Sequence, residues 1–259
     1  MLLTLYRFSI GARFAFERLH NPERTLLGLS LLAWLASLLA VTWNEIPVLC
    51  ISSPTLAARL GAGIDILVQP GRILNEIVAW LTMILAMMFP LLLHPVRHVA
   101  LRSFRRRRGR AIACFLAGYA GVWLAAGLLA SVAMLTIISS SLLTVQIVGA
   151  ASFTIAAVWQ FSRTRRLALR RCHRTVPLVP WGWKADLGCL RFGVTQGRDC
   201  LIVCGPAMLA ILTAHNVLLC ATLAILLFIE RGRSDASSFP LAGMLASIAA
   251  ARSVFVLIG

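Results

Sequence analysis

The chain is 259 residues long, 59% hydrophobic and 13% charged, with a mean hydropathy of +0.86, which excludes an ordinary soluble domain and is typical of multi-pass membrane proteins. Lys and Arg outnumber Asp and Glu by 25 to 9, for a net charge of +16, but the arginines cluster in short loops beside apolar runs. That pattern indicates loops on the cytoplasmic side of a membrane, and it leaves no exposed basic face that would make nucleic acid a partner.

Residues 1–25 contain four arginines and two glutamates, without a clean apolar stretch followed by a small-residue cleavage site. We therefore expect no cleavable signal peptide in this part of the chain. Residues 1–25 are predicted to form a cytoplasmic amphipathic lead-in, and residues 26–259 a single transmembrane helical domain.

Seven later segments approach the roughly 20 apolar residues that a helix needs to cross a bilayer. The chain is therefore predicted to fold as an all-α polytopic membrane helical bundle of about seven transmembrane helices, with six as the alternative. The predicted spans are residues 26–43, 73–93, 111–137, 142–159, 190–212, 217–229 and 240–258.

The connections between these spans alternate in charge. Those after the second, fourth and sixth spans carry nearly all the loop arginines, so they are expected to face the cytoplasm, with the N-terminus inside and the C-terminus outside. Glu230, at the inner end of the sixth span, is expected to be an interfacial anchor or an ion-pair partner. The long connection at 44–72 is predicted to be either an interfacial helix on the outer surface or a solvated loop.

Sulfur atoms line one face of two of the spans. Met83 and Met87 are four residues apart in the second span, and Cys200 and Cys204 are four apart in the fifth, with Met208 one turn further on. Counting about 1.5 Å per residue from the span ends places Met83 and Cys200 near the same depth, at the bilayer midplane. Soft sulfur donors select soft metals, above all Cu(I). We therefore predict that the second and fifth spans are neighbours and that their sulfur atoms come within about 8 Å, from which small motions reach a metal–sulfur bond of about 2.3 Å.

The same sulfur atoms have a simpler interpretation. Met and Cys are adaptable apolar residues that pack well in a core and need no ligand. Both interpretations stay open from the residues alone. The seven cysteines are odd in number and lie mostly in apolar spans or basic loops, so a disulfide framework is not expected.

Glycines and prolines indicate where the spans pack closely and where they bend. Gly193 and Gly197 have the small-xxx-small spacing that predicts close packing of the fifth span against a neighbour. Pro90 and Pro206 each remove a backbone donor, so breaks at these residues would free carbonyl groups that neighbouring groups must satisfy.

Five motifs occur in order between residues 73 and 235. They are Trp80-x-x-Met83-x-x-Ala86-Met87-Met88-x-Pro90, Phe115-x-x-Gly118-Tyr119-x-x-x-Trp123, Gln160 with the basic stretch that ends at Cys172, Gly193-x-x-x-Gly197-x-x-Cys200-x-x-x-Cys204-x-x-x-Met208, and Glu230-Arg231. Together they resemble the predicted metal-binding integral membrane protein family. That bacterial family, a domain of unknown function, is labelled copper chaperone in places. The resemblance implies a bacterial inner (cytoplasmic) membrane protein with a Met/Cys metal site.

This chain departs from the family pattern at several donor positions. Ala168 stands where the family has the first Cys of the basic loop, and residues 203–205 are Val-Cys-Gly where it has Cys-Cys-Trp. His215 and Cys220 stand where the family has Met. These changes either redistribute the ligands or mark a member that no longer binds metal. The predicted donors are Met83, Met87, Met88, Cys172, Cys200, Cys204, Met208, His215 and Cys220.

No nucleophile–base pair, phosphate loop or carboxylate dyad is recognisable, so an enzyme is not expected. The leading hypothesis is a protein that binds Cu(I) in the membrane and hands it on by ligand exchange among these donors. Its partners would be the lipid bilayer and a copper-dependent enzyme or another metal-handling protein. A second hypothesis is a metal-free membrane scaffold or assembly subunit. A third is a secondary transporter, against which we count the lack of an internal repeat and of a centrally buried charge.

Overall fold

The computed structural model describes residues 22–42, 77–78, 80–138, 142–179, 181–212, 217–232 and 239–258. Within these residues every regular element is helical, which confirms the all-α class. Most of the lead-in, all of the 44–72 connection and His215 lie outside the described residues. The α-helices are α1 (Pro22–Thr42), α2 (Leu93–Arg102), α3 (Arg108–Ile138), α4 (Leu142–Trp159), α5 (Arg163–Cys172), α6 (Trp183–Leu212), α7 (Val217–Gly232) and α8 (Phe239–Ile258).

Most helix bounds agree with the predicted spans. The fourth span and α4 coincide at 142–159, and α3, α7 and α8 extend the predicted segments by only a few residues. The fifth span differs most, because α6 begins at Trp183 and continues through a polar first turn that contains Lys184 and Asp186. An acidic residue near a helix N-terminus is favourable there, and Asp186 also pairs with Arg107 and Arg110.

Membrane-length helices are few among the residues that can be placed. Residues 105–130 form one helical stretch that is long and apolar enough to cross a bilayer. Helical residues 80–88 and 90–102, joined at a 51° bend, would count as a second if they form one span. Shorter apolar helices cover residues 146–159 and 240–251. The count of about seven spans therefore stays a prediction.

Pro90 breaks the second predicted span. A π-helical turn at Ile84–Met88 precedes it and a 3-10 turn at Pro90–Leu92 follows, before α2 begins. Pro90 has no N–H to donate to the carbonyl of Ala86, four residues earlier. Ser30 Oγ donates to that carbonyl at 2.7 Å, and Trp34 Nε1 donates at 3.1 Å. Helix α1 thus satisfies the freed group, as the sequence led us to expect of a neighbour.

Pro206 does not break its helix, so the sequence-based possibility of a break at Gly205-Pro206 is wrong. Helix α6 continues through Pro206 to Leu212. The carbonyl that loses its helical donor is that of Ile202, and the indole N–H of Trp159 donates to it at 2.8 Å. A tryptophan from α4 therefore supplies the hydrogen bond that the proline cannot.

Helices α3 and α6 form the most extensive helix contact of the fold. A Cβ at Gly193 would lie 2.0 Å from the carbonyl oxygen of Phe115, and one at Gly118 would lie 2.3 Å from that of Leu190. The two backbones therefore approach as closely as glycine permits, which confirms the close packing predicted for Gly193. This crossing brings the residue after Gly118, Tyr119, beside α6.

The other helices surround this pair. Helix α4 packs on α8 and on α6, and α5 lies against α6. Helix α7 contacts α6, α8 and the broken segment around Pro90. Trp80 packs the broken segment against α3. Its Nε1 donates to the carbonyl of Trp123 at 2.7 Å, and its ring lies over Gly127.

Candidate functional site

Eight of the nine predicted donors are described, and all eight belong to or pack against one continuous buried core. Met83 is only partly buried and packs on the edge of this core. The ninth donor, His215, lies outside the described residues. The seven that are buried are Met87, Met88, Cys172, Cys200, Cys204, Met208 and Cys220.

Cys200 and Cys204 form a sulfur pair inside this core. They are one helical turn apart on α6, and their Sγ atoms are 4.0 Å from each other. Both side chains are almost completely excluded from solvent. The pair is therefore held by the geometry of a single helix and needs no rearrangement to stay together.

Two polar groups from other helices point at Cys200. The hydroxyl of Tyr119 donates to its Sγ at 3.2 Å, and Nη1 of Arg231 lies 3.9 Å from the same atom. Tyr119 is positioned by the glycine crossing of α3 and α6, and Arg231 belongs to the last turn of α7. A cation and a hydroxyl donor both stabilise negative charge on sulfur.

Cys172, the last residue of α5, completes what we call the thiol cluster: Cys172, Cys200 and Cys204. Burial raises the pKa of the Cys172 thiol to about 12, and the nearby Arg231 opposes that rise only in part. Burial, followed by repulsion from Arg231, lowers the pKa of the adjacent His173 below 6.5. At neutral pH Cys172 is therefore a neutral thiol.

The thiol cluster lies beside the C-terminal end of α7. Cys200 has two neighbours there: Arg231, in the last turn of α7, and Cys172, at the end of α5. The midplane depth of Cys200 stays a prediction. At about 1.5 Å per residue, Cys220, in the first turn of α7, lies some 16 Å from Arg231 along the helix axis, so it is remote from the thiol cluster.

Charged side chains are buried beside the thiol cluster. Arg165 of α5 and Glu230 of α7 form an ion pair at 2.5 Å, with side-chain exposures of 0% and 6%. This outcome confirms the ion-pair role expected of Glu230. Asp199, which precedes Cys200, is also buried.

The methionines of the broken segment are near a different pair of helices. The π-helical turn that carries Met87 and Met88 packs mainly on α1 and α7, and its contact with α6 is not extensive. Helix α7 also packs on α6, so it is the shared neighbour of the two sulfur groups. Direct approach of Met83 or Met87 to the cysteine pair stays a prediction.

The cysteine pair fits a soft metal ion. With metal–sulfur bonds of about 2.3 Å, two sulfur atoms 4.0 Å apart subtend an angle of roughly 120° at the metal. Within the part of the chain that the structure describes, no group of three or more His, Cys, Asp or Glu side chains is arranged to hold an ion. Two thiol sulfur atoms at this separation could share one soft metal ion.

Sequence reasoning missed four polar residues of this region. Arg231 was counted as a topology signal and, like Tyr119, as part of a motif, while Asp199 was not singled out. Gln196, one turn before Cys200, also went unremarked; it is buried, and its Oε1 accepts no hydrogen bond. The Gly118-Tyr119 and Glu230-Arg231 motifs were the available signals, since each contains a residue that contacts Cys200.

Comparison with known proteins agrees with the motif evidence. The sequence model of the PpoB2 family, described as copper chaperone, matches residues 77–253. That range is 177 of the 259 residues, and it includes all five motifs and all nine predicted donors. No curated protein matches the chain, and no solved structure matches it.

Proposed function

The chain belongs to the copper chaperone family, and on that premise we propose that it binds Cu(I) within the bacterial inner membrane and passes it to another protein. Cys200 and Cys204 are the proposed central ligands. The membrane location rests on the composition and on the alternation of apolar segments with basic connections. The proposed topology is multi-pass with the N-terminus in the cytoplasm.

The contact of Arg231 and Tyr119 with Cys200 is the observation that carries this proposal. Sulfur that served only for packing would be surrounded by apolar groups, because a cation beside a neutral apolar side chain loses hydration without compensation. A cation and a hydroxyl donor aimed at one sulfur instead suit a thiolate, which is the form that binds metal.

Transfer would proceed by exchange of sulfur ligands. The thiol cluster lies beside the basic helix α5, so we propose that Cu(I) enters at this cytoplasmic end. Met208, one turn beyond Cys204, is the next sulfur along α6 and leads toward Cys220 and His215 at the outer end. Met83 and Met87 would offer a second route along the broken segment. Thioethers bind less strongly than thiolates, which favours release.

The alternative proposal is a metal-free membrane scaffold. The ability of Met and Cys to pack in an apolar core without a ligand favours it. In that case the thiol cluster would be part of a polar contact that fixes α5 and α7 on α6. Metal retention distinguishes the two proposals.

The test is the copper content of the purified full chain after anaerobic addition of Cu(I) and removal of excess metal. Replacing both Cys200 and Cys204 by Ser preserves volume but exchanges soft donors for hard ones. We expect the parent to retain copper and the double variant to lose most of it while remaining folded.

A matched control replaces Cys114 and Cys189 by Ser. These two thiols also lie near each other, on α3 and α6, but neither is a proposed ligand. The control should retain copper like the parent. Equal copper content in the parent and both double variants would favour the metal-free scaffold.

A further inference from the structure

Arg231 brings a fixed positive charge to the proposed copper ligands. Its Nη1 is 3.9 Å from Cys200 Sγ, and Cys172 also lies within its field. The side chain is partly buried in the protein. A guanidinium remains protonated in proteins, so this charge is always present.

The other charged groups near the thiol cluster have different principal partners. Glu230 pairs with Arg165 at 2.5 Å. Asp199, which precedes Cys200, lies near two further cations, Arg171 and Arg198, besides Arg231. The hydroxyl of Tyr119 donates to Cys200 and is therefore neutral. Arg231 is therefore the cation that faces the cysteine pair.

We propose that Arg231 makes the cysteine pair selective for a monovalent metal ion. This inference rests on the proposed function. When Cu(I) binds, both thiols release their protons to water, two copper–sulfur bonds form, and the resulting bis-thiolate carries one negative charge. The single positive charge of Arg231 neutralises it.

A divalent ion bound by the same two thiolates gives a complex with a different net charge. Zn(II) with two thiolates is neutral, so Arg231 would be left as an uncompensated cation in a desolvated site, which is strongly unfavourable. Softness alone does not exclude zinc, because thiolates are also its common ligands. The charge of Arg231 therefore favours Cu(I) over Zn(II), a preference that the sulfur ligands alone do not supply.

The experiment compares Cu(I) and Zn(II) affinities, each measured anaerobically by chelator competition on the full chain in detergent. Arg231→Gln removes the charge, Arg231→Lys keeps it, and Arg166→Gln removes an exposed charge from α5 as the matched control. If the glutamine variant does not fold, Arg231→Met, which retains an apolar stem for packing, takes its place.

We expect the ratio of Cu(I) to Zn(II) affinity to fall about tenfold or more in Arg231→Gln or Arg231→Met. The ratio in Arg231→Lys and Arg166→Gln should stay close to that of the parent. A parent that binds Cu(I), together with an unchanged ratio in the uncharged variants, overturns the inference and leaves the proposed function intact. A parent that binds no Cu(I) overturns both.

Discussion

The guanidinium of Arg231 lies 3.9 Å from the sulfur of Cys200, although the two residues are 31 positions apart. This contact joins the C-terminal end of α7 to the middle of α6. It places a permanent cation beside a pair of thiols that share one helix face. The proposed copper site is defined by this relationship more than by the number of sulfur atoms in the core.

The hydrogen bond from Trp159 should be necessary for α6 to remain continuous at Pro206. Trp159→Phe leaves the Ile202 carbonyl without the donor that replaces the missing N–H, so we expect a loss of about 1–3 kcal/mol in the free energy of unfolding. Denaturant unfolding in detergent measures it. Trp183→Phe, at a side chain 70% exposed, is the control and should change stability little. Equal stability of both variants would contradict this account of Pro206.

The α3–α6 crossing should tolerate no side chain at Gly193. Gly193→Ala places a methyl group 2.0 Å from the Phe115 carbonyl oxygen, so the helices must separate. We expect a marked fall in thermal stability and weaker contact between Tyr119 and Cys200. Gly121→Ala on α3 meets no atom within 4 Å and should be neutral or slightly stabilising, because Ala favours helix. A Gly193→Ala chain as stable as Gly121→Ala would argue against the close crossing.

Replacing only one member of the ion pair between Arg165 and Glu230 should lower the free energy of unfolding. Arg165→Met removes the cation that pairs with the buried Glu230, and such a change costs about 3–5 kcal/mol. Adding Glu230→Gln should restore part of that loss, since the buried charge is then removed. Unfolding of the single and double variants measures the difference. A double variant less stable than Arg165→Met would show that the pair does not act as a unit.

Cys172 should resist alkylation in the folded chain. Its pKa of about 12 exceeds the ordinary value of 9.0, so the folded state keeps the thiol protonated. The associated stability is present below pH 9.0 and is lost as the pH rises toward 12. In a chain with Cys172 as the sole cysteine, maleimide labelling at pH 7 should be slow in the folded state and fast after unfolding. Rapid labelling of the folded chain would contradict the burial and the raised pKa.

The same burial makes Cys172 unsuitable for testing topology. Thr175 is exposed in the same basic connection, so Thr175→Cys in a cysteine-free chain is the better probe. An impermeant thiol reagent added to intact cells should not label it if that connection is cytoplasmic. Ser140→Cys, in the weakly charged connection after the third span, should be labelled. The reverse pattern would overturn the predicted orientation.

Local chemistry accounts for what could be predicted from the sequence. Apolar length predicted α4 to the residue, Pro90 predicted a break, and Gly193 predicted a close crossing. The continuity of α6 at Pro206 was not predicted, because the donor that preserves the helix is a side chain from α4, which no local sequence pattern reveals. The contact of Arg231 with Cys200 was not predicted for a similar reason. The number of arginines in a loop indicates the side of the membrane on which the loop lies, but it does not show which group each arginine contacts.

The coordination of bound copper tests the central claim most directly. X-ray absorption at the copper edge of the Cu(I)-loaded full chain should show a first shell of sulfur at about 2.3 Å, supplied by Cys200 and Cys204 with at most one further sulfur. The Cys200→Ser, Cys204→Ser double variant should lose this shell, and the Cys114→Ser, Cys189→Ser control should keep it. A shell of nitrogen or oxygen in the parent, or a sulfur shell unchanged in the Cys200→Ser, Cys204→Ser variant, would contradict the proposed copper site.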